Sequence, residues 1–211
     1  MKGKKRVVSR KRQALRWTAV LVLLVWLSHT TGAYCLTPTR VLRSLEREQL
    51  TGETEFLAQI DLPEGRGGTM RLAGGDHAVI LARYQWSLRD GWNANLPHHI
   101  ERQSEWPFNA MCYYAPYDAS AGRVYYIFGS VEDPEVVELE IFFDASSDPL
   151  DQTVYLTEDD WIRDDRGNCF FLCEIRPGQR VMTLDCSVRG YRADGTTVGM
   201  LELLPLIPRW E

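Results

Sequence analysis

The sequence predicts a mainly β protein in which an N-terminal transmembrane or signal helix precedes an antiparallel, immunoglobulin-like β-sandwich. The first observation is an uncharged apolar stretch that directly follows a basic N-terminal segment, as in a secretory signal or a membrane anchor. The second is a change of pattern at Thr54. From there, short runs of alternating apolar and polar residues are separated by turn signals rich in Gly, Pro and Asp, which is typical of an antiparallel sandwich.

The N-terminal segment, residues 1–16, holds eight Lys and Arg side chains and no acidic residue. We expect an uncleaved anchor over residues 17–36, because its length matches the about 20 residues that a bilayer requires. A cleaved signal peptide is the alternative, with Thr31-Gly32-Ala33 as its cleavage site. The positive-inside rule places the basic tail in the cytosol and the rest of the chain outside. This predicts a single-pass protein of the cell membrane, or a secreted protein if the leader is cleaved.

A short juxtamembrane helix is predicted over residues 37–50. Thr37 can cap its first turn, and Pro38 occupies the first helical position, where its missing N–H costs nothing. The apolar side chains of this helix form a narrow stripe of Val41, Leu42 and Leu45. We expect the stripe to pack against the chain's own domain, with a partner helix as the alternative.

The layout of the N-terminal quarter resembles that of a group of known proteins. A Lys/Arg-rich leader enters the apolar span through Leu15-Arg16-Trp17, and a Thr-Pro exit then opens an Arg/Glu helix over 37–48. The segment Gly-Ser-Val-Glu-Asp-Pro at 129–134 is shared more loosely. In these features the chain is similar to uncharacterised single-pass extracytoplasmic proteins of anaerobic Gram-positive bacteria. The resemblance implies a membrane anchor and brings no activity with it.

The charge is distributed unevenly along the chain. Removing the eight basic residues of the tail leaves 16 basic against 29 acidic side chains, a net charge of −13 for the remainder. Such an acidic body repels the phosphates of nucleic acids. We therefore expect no nucleic-acid partner.

The outer domain, residues 54–204, contains ten predicted strands. They are Glu55–Ile60, Thr69–Leu72, Ala78–Trp86, Met111–Tyr114, Arg123–Gly129, Val136–Phe143, Thr153–Leu156, Cys169–Ile175, Gln179–Tyr191 and Thr196–Leu203. The pattern is clearest from residue 122 onward, where Asp194-Gly195 between two alternating runs is a strong hairpin signal. Residues 54–118 are less regular and form either an additional β layer or a separate small lobe. One domain is the preferred interpretation.

Four of the five cysteines lie in the outer domain, where an exported compartment permits disulfides. Cys169 and Cys173 are four residues apart on one predicted strand, so they lie about 13 Å apart and cannot bond with each other. This excludes the connectivity that pairs them and also pairs Cys112 with Cys186. The remaining choice pairs Cys186 with Cys173 or with Cys169 across a hairpin predicted at 177–178. The favoured bridge joins Cys173 to Cys186, because these two lie closer to that turn.

The segment Trp86–Tyr117 is predicted to be a long irregular loop rich in Trp and Tyr. Loops of that length in compact domains are frequently functional. Exposed aromatic rings can stack on sugars, which suggests glycan binding; the alternative is that the rings fold back and seal one end of the sandwich. The candidate ligand-binding residues are Trp92, His98, Trp106, Tyr113 and Tyr117.

No cofactor, metal site or catalytic residue is predicted. The cysteine spacing differs from that of zinc knuckles, and the acidic run 158–165 lacks the spacing of an EF-hand loop. The adjacent residues His98 and His99 point apart in an extended chain. The sequence also lacks the nucleophile-elbow, phosphate-loop, dinucleotide and zinc-protease motifs. We expect the acidic run to be a solvated surface.

These observations favour a non-enzymatic, membrane-anchored binding or interaction module outside the cell, with a glycan or an envelope protein as its partner. One alternative is an exported hydrolase that acts on glycans through paired carboxylates such as Asp160 or Glu105. The other is a structural accessory subunit of an envelope complex, docked through the apolar span and the stripe of the short helix.

Overall fold

The computed structural model describes residues 10–31, 34–62, 68–115, 124–144, 152–176 and 185–203, and it is mainly β. In chain order its helices and strands are α1 (Arg10–Thr31), α2 (Pro38–Gln49), β1 (Thr54–Asp61), β2 (Thr69–Gly75), β3 (Ala78–Ser87), β4 (Gly91–Glu101), β5 (Phe108–Ala115), β6 (Val124–Val131), β7 (Val136–Asp144), β8 (Gln152–Thr157), β9 (Ile162–Arg163), β10 (Cys169–Ile175), β11 (Asp185–Arg192) and β12 (Thr197–Leu203).

The strands form three antiparallel sheets of four strands each. The N-terminal sheet has the order β1-β2-β3-β4, the central sheet β5-β6-β10-β9, and the outer sheet β12-β11-β7-β8. The sandwich predicted from the sequence has two sheets. The third is the N-terminal sheet. It corresponds to the additional β layer that was one of the two alternatives for residues 54–118.

The central sheet lies between the other two, because both of its faces are apolar. All eight residues of β6 are buried, and successive side chains of a strand point to opposite faces. Tyr126 and Phe128 pack with residues of the N-terminal sheet, whereas Tyr125 and Ile127 pack with residues of the outer sheet. Each of the two hydrophobic clusters therefore includes side chains from β6.

Helix α2 covers the other face of the N-terminal sheet. Its predicted apolar stripe is buried against this sheet, around Ile80, Ala82 and Tyr84. Thr37 is the N-cap, and its hydroxyl accepts from the Arg40 amide at 3.3 Å. The prediction that the stripe packs on the chain's own domain is therefore confirmed, and the stripe is not available to a partner helix.

A buried carboxylate fixes the end of α2 to the start of β1. Glu46 accepts hydrogen bonds from the Thr54 amide at 2.6 Å and from its hydroxyl at 2.8 Å. Arg43, one turn earlier, forms an ion pair with the same carboxylate at 2.6 Å. The helix is therefore positioned by polar bonds as well as by its apolar stripe.

Helix α1 begins and ends earlier than the predicted span 17–36. Near its end, the hydroxyls of Thr30 and Thr31 bond back to the Leu27 carbonyl, and the Tyr34 amide donates to the Ser28 carbonyl at 3.0 Å. Residues 34–37 are not helical. Among the described residues, no helix is both long and apolar enough to cross a membrane.

The prediction of an irregular loop over 86–117 is wrong, since most of this segment forms β4 and β5. Asn93, Asn95 and Pro97 weaken the strand signal of β4 in the sequence. The structure accommodates them because β4 is the edge strand of its sheet, where proline is tolerated. The register also shifts between Leu81 and Arg83 of the neighbouring strand.

The tip of the β3–β4 hairpin touches the connection between the two helices. Cys35 forms an isolated parallel bridge with Gly91, and its carbonyl accepts from the Trp92 amide at 2.7 Å. Gly91 has φ +71°, and a Cβ atom there would lie 2.4 Å from the Cys35 carbonyl oxygen. Glycine is therefore required at this contact for both its backbone conformation and its size.

A buried ion pair joins the N-terminal sheet to the central sheet. Arg102 directly follows β4, and Glu132 directly follows β6. The guanidinium forms two parallel bonds with the carboxylate, at 2.8 and 2.7 Å, and donates a third to the Gly75 carbonyl at 2.8 Å. Glu132 also accepts from the Ser130 hydroxyl at 2.6 Å. Burial alone would raise the pKa of Glu132, but the bonds from Arg102 and Ser130 outweigh it and lower this pKa below 4.5.

We expect Arg102→Met to destabilise the fold by about 3–5 kcal/mol, because it leaves the Glu132 charge buried without its partner. The measurement is denaturant unfolding of the full chain in detergent micelles. Arg89→Met is the matched control: this side chain is 92% exposed and lies 3.7 Å from Asp90, so its loss leaves the unfolding midpoint unchanged. Equal midpoints for the two variants would show that the buried pair does not hold the sheets together.

Candidate functional site

The predicted ligand-binding residues do not form one surface. Tyr113 is 1% exposed and lies in the core between the N-terminal and central sheets. Trp92 packs beneath α2, 5.5 Å from the Arg71 guanidinium. Trp106 is 44% exposed on the turn before β5. Tyr117 lies outside the described residues.

His98 contacts Tyr113, with ring centroids 4.5 Å apart. Its Nε2 atom is buried and has no hydrogen-bond partner among the described residues. Burial, and to a smaller extent the neighbouring His99, lower the pKa of His98 below 6.5. His98 is therefore half-buried against Tyr113, and its lowered pKa favours the neutral imidazole.

The acidic run 158–165 is partly structural. Asp160 accepts from the backbone amide of Thr157 at 2.9 Å and so caps a short 3₁₀ turn. Asp164 accepts from the Asn168 amide at 2.7 Å and closes the turn before β10. Within the described part of the chain, no group of three or more His, Cys, Asp or Glu residues is arranged to hold a metal ion.

One candidate site among the described residues is a cleft on the outer face of the outer sheet, with a volume of about 460 Å³. We call it the outer cleft. It is lined by Val137, Glu138, Glu140, Tyr155, Tyr191, Arg192, Ala193 and Gly195.

Strand alternation explains why these side chains share one face. On β7, Leu139 and Ile141 are fully buried, so the residues between and beside them face outward. The cross-strand register then places Tyr155 of β8 and Arg189 of β11 on either side of Glu140. The outer face therefore carries a row of polar and aromatic side chains over an apolar core.

Glu140 is the centre of a hydrogen-bonded network. One carboxylate oxygen accepts from the Tyr191 hydroxyl at 2.6 Å, and the other accepts from the Tyr155 hydroxyl at 3.3 Å. Arg189 forms an ion pair with the same carboxylate at 3.5 Å and donates to the Tyr191 hydroxyl at 3.2 Å. This network fixes the positions of both tyrosine rings.

Glu138 lies two residues from Glu140 on the same face of β7. To other described residues it forms no hydrogen bond or ion pair, so its carboxylate is available to a ligand in the cleft. At the rim, Arg192 is held by ion pairs with Glu135 at 2.8 Å and with Asp133 at 3.6 Å. The outer cleft thus offers exposed aromatic surface, a carboxylate and a positioned cation.

A second, smaller pocket of about 230 Å³ lies at the end of the N-terminal sheet, near Arg43, Glu53 and Arg166. Its cations are already paired: Arg43 with Glu46, and Arg166 with Asp76. The hydrogen bond from Arg166 lowers the pKa of Asp76 below 3.8. The two arginines of this pocket are therefore held by internal pairs.

The chain matches no protein-family model, no curated protein and no solved structure. What the outer cleft can bind is therefore inferred from its side chains. None of these residues is among those predicted from the sequence to bind a ligand. Glu138 and Glu140 alternate with apolar residues along the strand predicted at 136–143, a pattern that puts both on one face. The signal that was missing is the cross-strand register, which brings Tyr155 and Tyr191 beside them.

We expect Glu140→Gln to lower the pKa of Tyr155. The negative charge of Glu140 is the main reason why this pKa lies above 10.0, and the bond between the two side chains adds to it. Removing the charge favours the phenolate and moves the pKa back toward 10.0. The measurement is a pH titration followed by NMR of ring-labelled tyrosine, with the signal assigned by Tyr155→Phe. Asp133→Asn, a charge change at the rim, is the control that leaves the titration in place. An unchanged Tyr155 titration in Glu140→Gln would contradict the network.

Proposed function

We propose that this protein is a non-enzymatic, extracytoplasmic binding module whose outer cleft binds a glycan. The observation that carries the proposal is the pairing of two fixed tyrosine rings with a free carboxylate on one open face. Aromatic faces stack on the apolar faces of sugar rings, and carboxylates accept hydrogen bonds from sugar hydroxyls. Tyr155 is 55% exposed and supplies the stacking surface, while Glu138 supplies the acceptor.

We also propose that the eight strands β5–β12 form an immunoglobulin-like sandwich. The order β5-β6-β10-β9 corresponds to the A-B-E-D sheet of that fold, and β12-β11-β7-β8 corresponds to G-F-C with an added C′ strand. The shared apolar cluster of the two sheets supports this. In this interpretation, the N-terminal sheet and α2 are an addition that covers the A-B-E-D sheet.

The location that we propose is the outer side of the cell membrane, with the segment 17–36, which includes most of the apolar part of α1, as anchor or cleaved signal. Eight large apolar side chains between Trp17 and Leu27 are 45–65% exposed. Five of them are consecutive, so they surround the helix, which turns 100° per residue. Such a surface is unfavourable in water. The basic residues at the start of α1 suit a cytosolic membrane face.

The tip of the β3–β4 hairpin supports the same location. This tip contacts the chain just after α1, as described above, and it exposes Trp86 by 51%, Leu88 by 84% and Arg89 by 92%. Tryptophan and arginine are typical of the membrane–water interface, where one end of the side chain is apolar and the other is hydrated.

The second candidate function is hydrolysis of a glycan. Glu138 and Glu140 are two residues apart on one face of a strand, so about 7 Å separates their backbone positions. Inverting glycosidases hold their two carboxyl groups roughly 6.5–9.5 Å apart, a separation that side chains at this backbone spacing can reach.

We expect the full chain, in detergent micelles, to bind selected members of an array of cell-wall and plant glycans. Tyr155→Ala should weaken that binding about tenfold, the loss of one exposed aromatic platform, whereas Tyr155→Phe keeps the ring and most of the affinity. Trp106→Ala is the matched control, because this exposed aromatic side chain lies outside the cleft. An array without any bound glycan would overturn the glycan proposal. If the same glycans were cleaved by the wild type and not by Glu138→Gln, hydrolysis would replace binding as the function.

For α1, we expect Leu21→Glu combined with Leu24→Glu to release the protein from carbonate-washed membranes, because burying two carboxylates in a bilayer costs several kcal/mol. The measurement is the membrane-bound fraction by immunoblotting. Leu50→Glu is the control, since Leu50 is equally apolar and 89% exposed at the end of α2. A bound fraction that does not change in the double variant would exclude α1 as the membrane-binding element.

A further inference from the structure

Three cysteine thiols converge in the core between the central and outer sheets. Cys112 and Cys173 both point toward the outer sheet, and each is paired in register with Ile127 of β6, one from either side. Cys186 enters the same cluster from β11 of the outer sheet. All three side chains are buried, with exposures of 1%, 8% and 4%. The structure holds all five cysteines of the chain as free thiols.

The premise of the Cys173–Cys186 bridge predicted from the sequence is wrong. That prediction requires β10 and β11 to form one hairpin, but the two strands belong to different sheets. The proposed turn at 177–178 lies outside the described residues. The sequence analysis excluded a Cys112–Cys186 bridge only because it assumed that Cys169 and Cys173 would then have to pair with each other. If Cys169 and Cys173 stay as thiols, that exclusion no longer applies.

Strands β5 and β11 approach each other across the core. Gly190 of β11 lies against the ring of Phe108, so that a Cβ atom at Gly190 would lie 2.8 Å from a ring carbon. Four residues along β5 from Phe108 is Cys112, and four residues back along β11 from Gly190 is Cys186. Each cysteine is therefore offset by four residues from the contact between Phe108 and Gly190. Of the two neighbouring thiols, Cys112 contributes more than Cys173 to raising the pKa of Cys186, in agreement with its position opposite Cys186.

We propose that Cys112 and Cys186 form a disulfide that joins the central sheet to the outer sheet. In this reaction each thiol loses a proton, one sulfur–sulfur bond forms, and two electrons pass to a disulfide oxidant such as glutathione disulfide, which becomes two thiols. Cys173 remains a thiol. In the cell the bridge depends on the proposed location outside the cytosol, since cytosolic thiols are kept reduced. The chemistry itself can be tested in vitro without that assumption.

The folded core makes the bridge slow to form. The hydrogen bond with Cys112, together with burial, raises the pKa of Cys186, and burial raises the pKa of Cys173 to about 11. Because the thiolate is the reactive form, neither of these buried thiols is reactive at neutral pH. Oxidation is therefore expected while the chain folds, when β5 and β11 are still accessible to an oxidant.

The test is to unfold the full chain in guanidinium and refold it in detergent with a glutathione redox buffer. Remaining thiols are then alkylated, and the protein is digested with trypsin. Cys112, Cys173 and Cys186 fall on three different peptides, 103–123, 167–180 and 181–189, so mass spectrometry identifies the pair directly. The expected result is a mass lower by two hydrogens and a cross-link between the first and the third peptide. Treating the already folded, reduced protein with the same buffer should give much less of this cross-linked product.

Three variants complete the design. Cys112→Ser and Cys186→Ser should lose the cross-link, and Cys173→Ser, a change of an equally buried cysteine in the same cluster, should keep it. The oxidised protein should also unfold at a higher denaturant concentration than the reduced protein, because the bridge restricts the unfolded chain. A cross-link between the second and third peptides, or five alkylated cysteines after oxidative refolding, would overturn the proposal. Both results are read on the wild type, so they stand even if a variant fails to fold, and neither depends on glycan binding.

Discussion

The central sheet determines the rest of the architecture, because it is apolar on both faces. A strand such as β6, with every residue buried, is stable only if a layer of apolar side chains covers each side. The N-terminal sheet supplies one layer and the outer sheet the other. Polar chemistry is therefore confined to the strand ends and to the two outermost faces. Helix α2 occupies one of those faces. Within the described ranges, no further element covers the outer face of the outer sheet.

The strand ends of the central sheet show how this constraint is met. Val131 is the last residue of β6, and it lies between two polar residues, Ser130 and Glu132. Arg102 approaches from the N-terminal sheet and neutralises the Glu132 carboxylate through a bidentate ion pair. A buried pair of this kind adds little net stability compared with an apolar pair of the same size, but it strongly penalises arrangements in which the partners are separated. Its role is therefore to specify how the N-terminal sheet sits on the central one.

The elements that the sequence predicts well are those whose local pattern agrees with their environment. The strand Cys169–Ile175 is predicted with the bounds that the structure has, because six of its seven residues are apolar and turn residues flank it. By contrast, β4 reads as a loop, since its asparagines and its proline are tolerated only at a sheet edge, and an edge is a property of the whole fold. The same limit applies to the site. Alternation shows that Glu138 and Glu140 face outward, but only the cross-strand register reveals their tyrosine neighbours.

The cysteines show why pairing cannot be read from spacing along the chain. Cys173 and Cys186 are only 13 residues apart, yet they lie on strands of different sheets, whereas Cys112, 74 residues before Cys186, meets it across the core. The reason is topological: each hairpin from β5 onward stays in one sheet, and each following connection crosses to the other. Neighbours in sequence are thereby separated, and distant segments face each other. The same crossings place the outer cleft two sheet spacings, about 20 Å, from the N-terminal sheet on which α2 rests. A ligand bound there would approach the molecule from the side opposite to α2, and the chain that leads to α1 would not obstruct it.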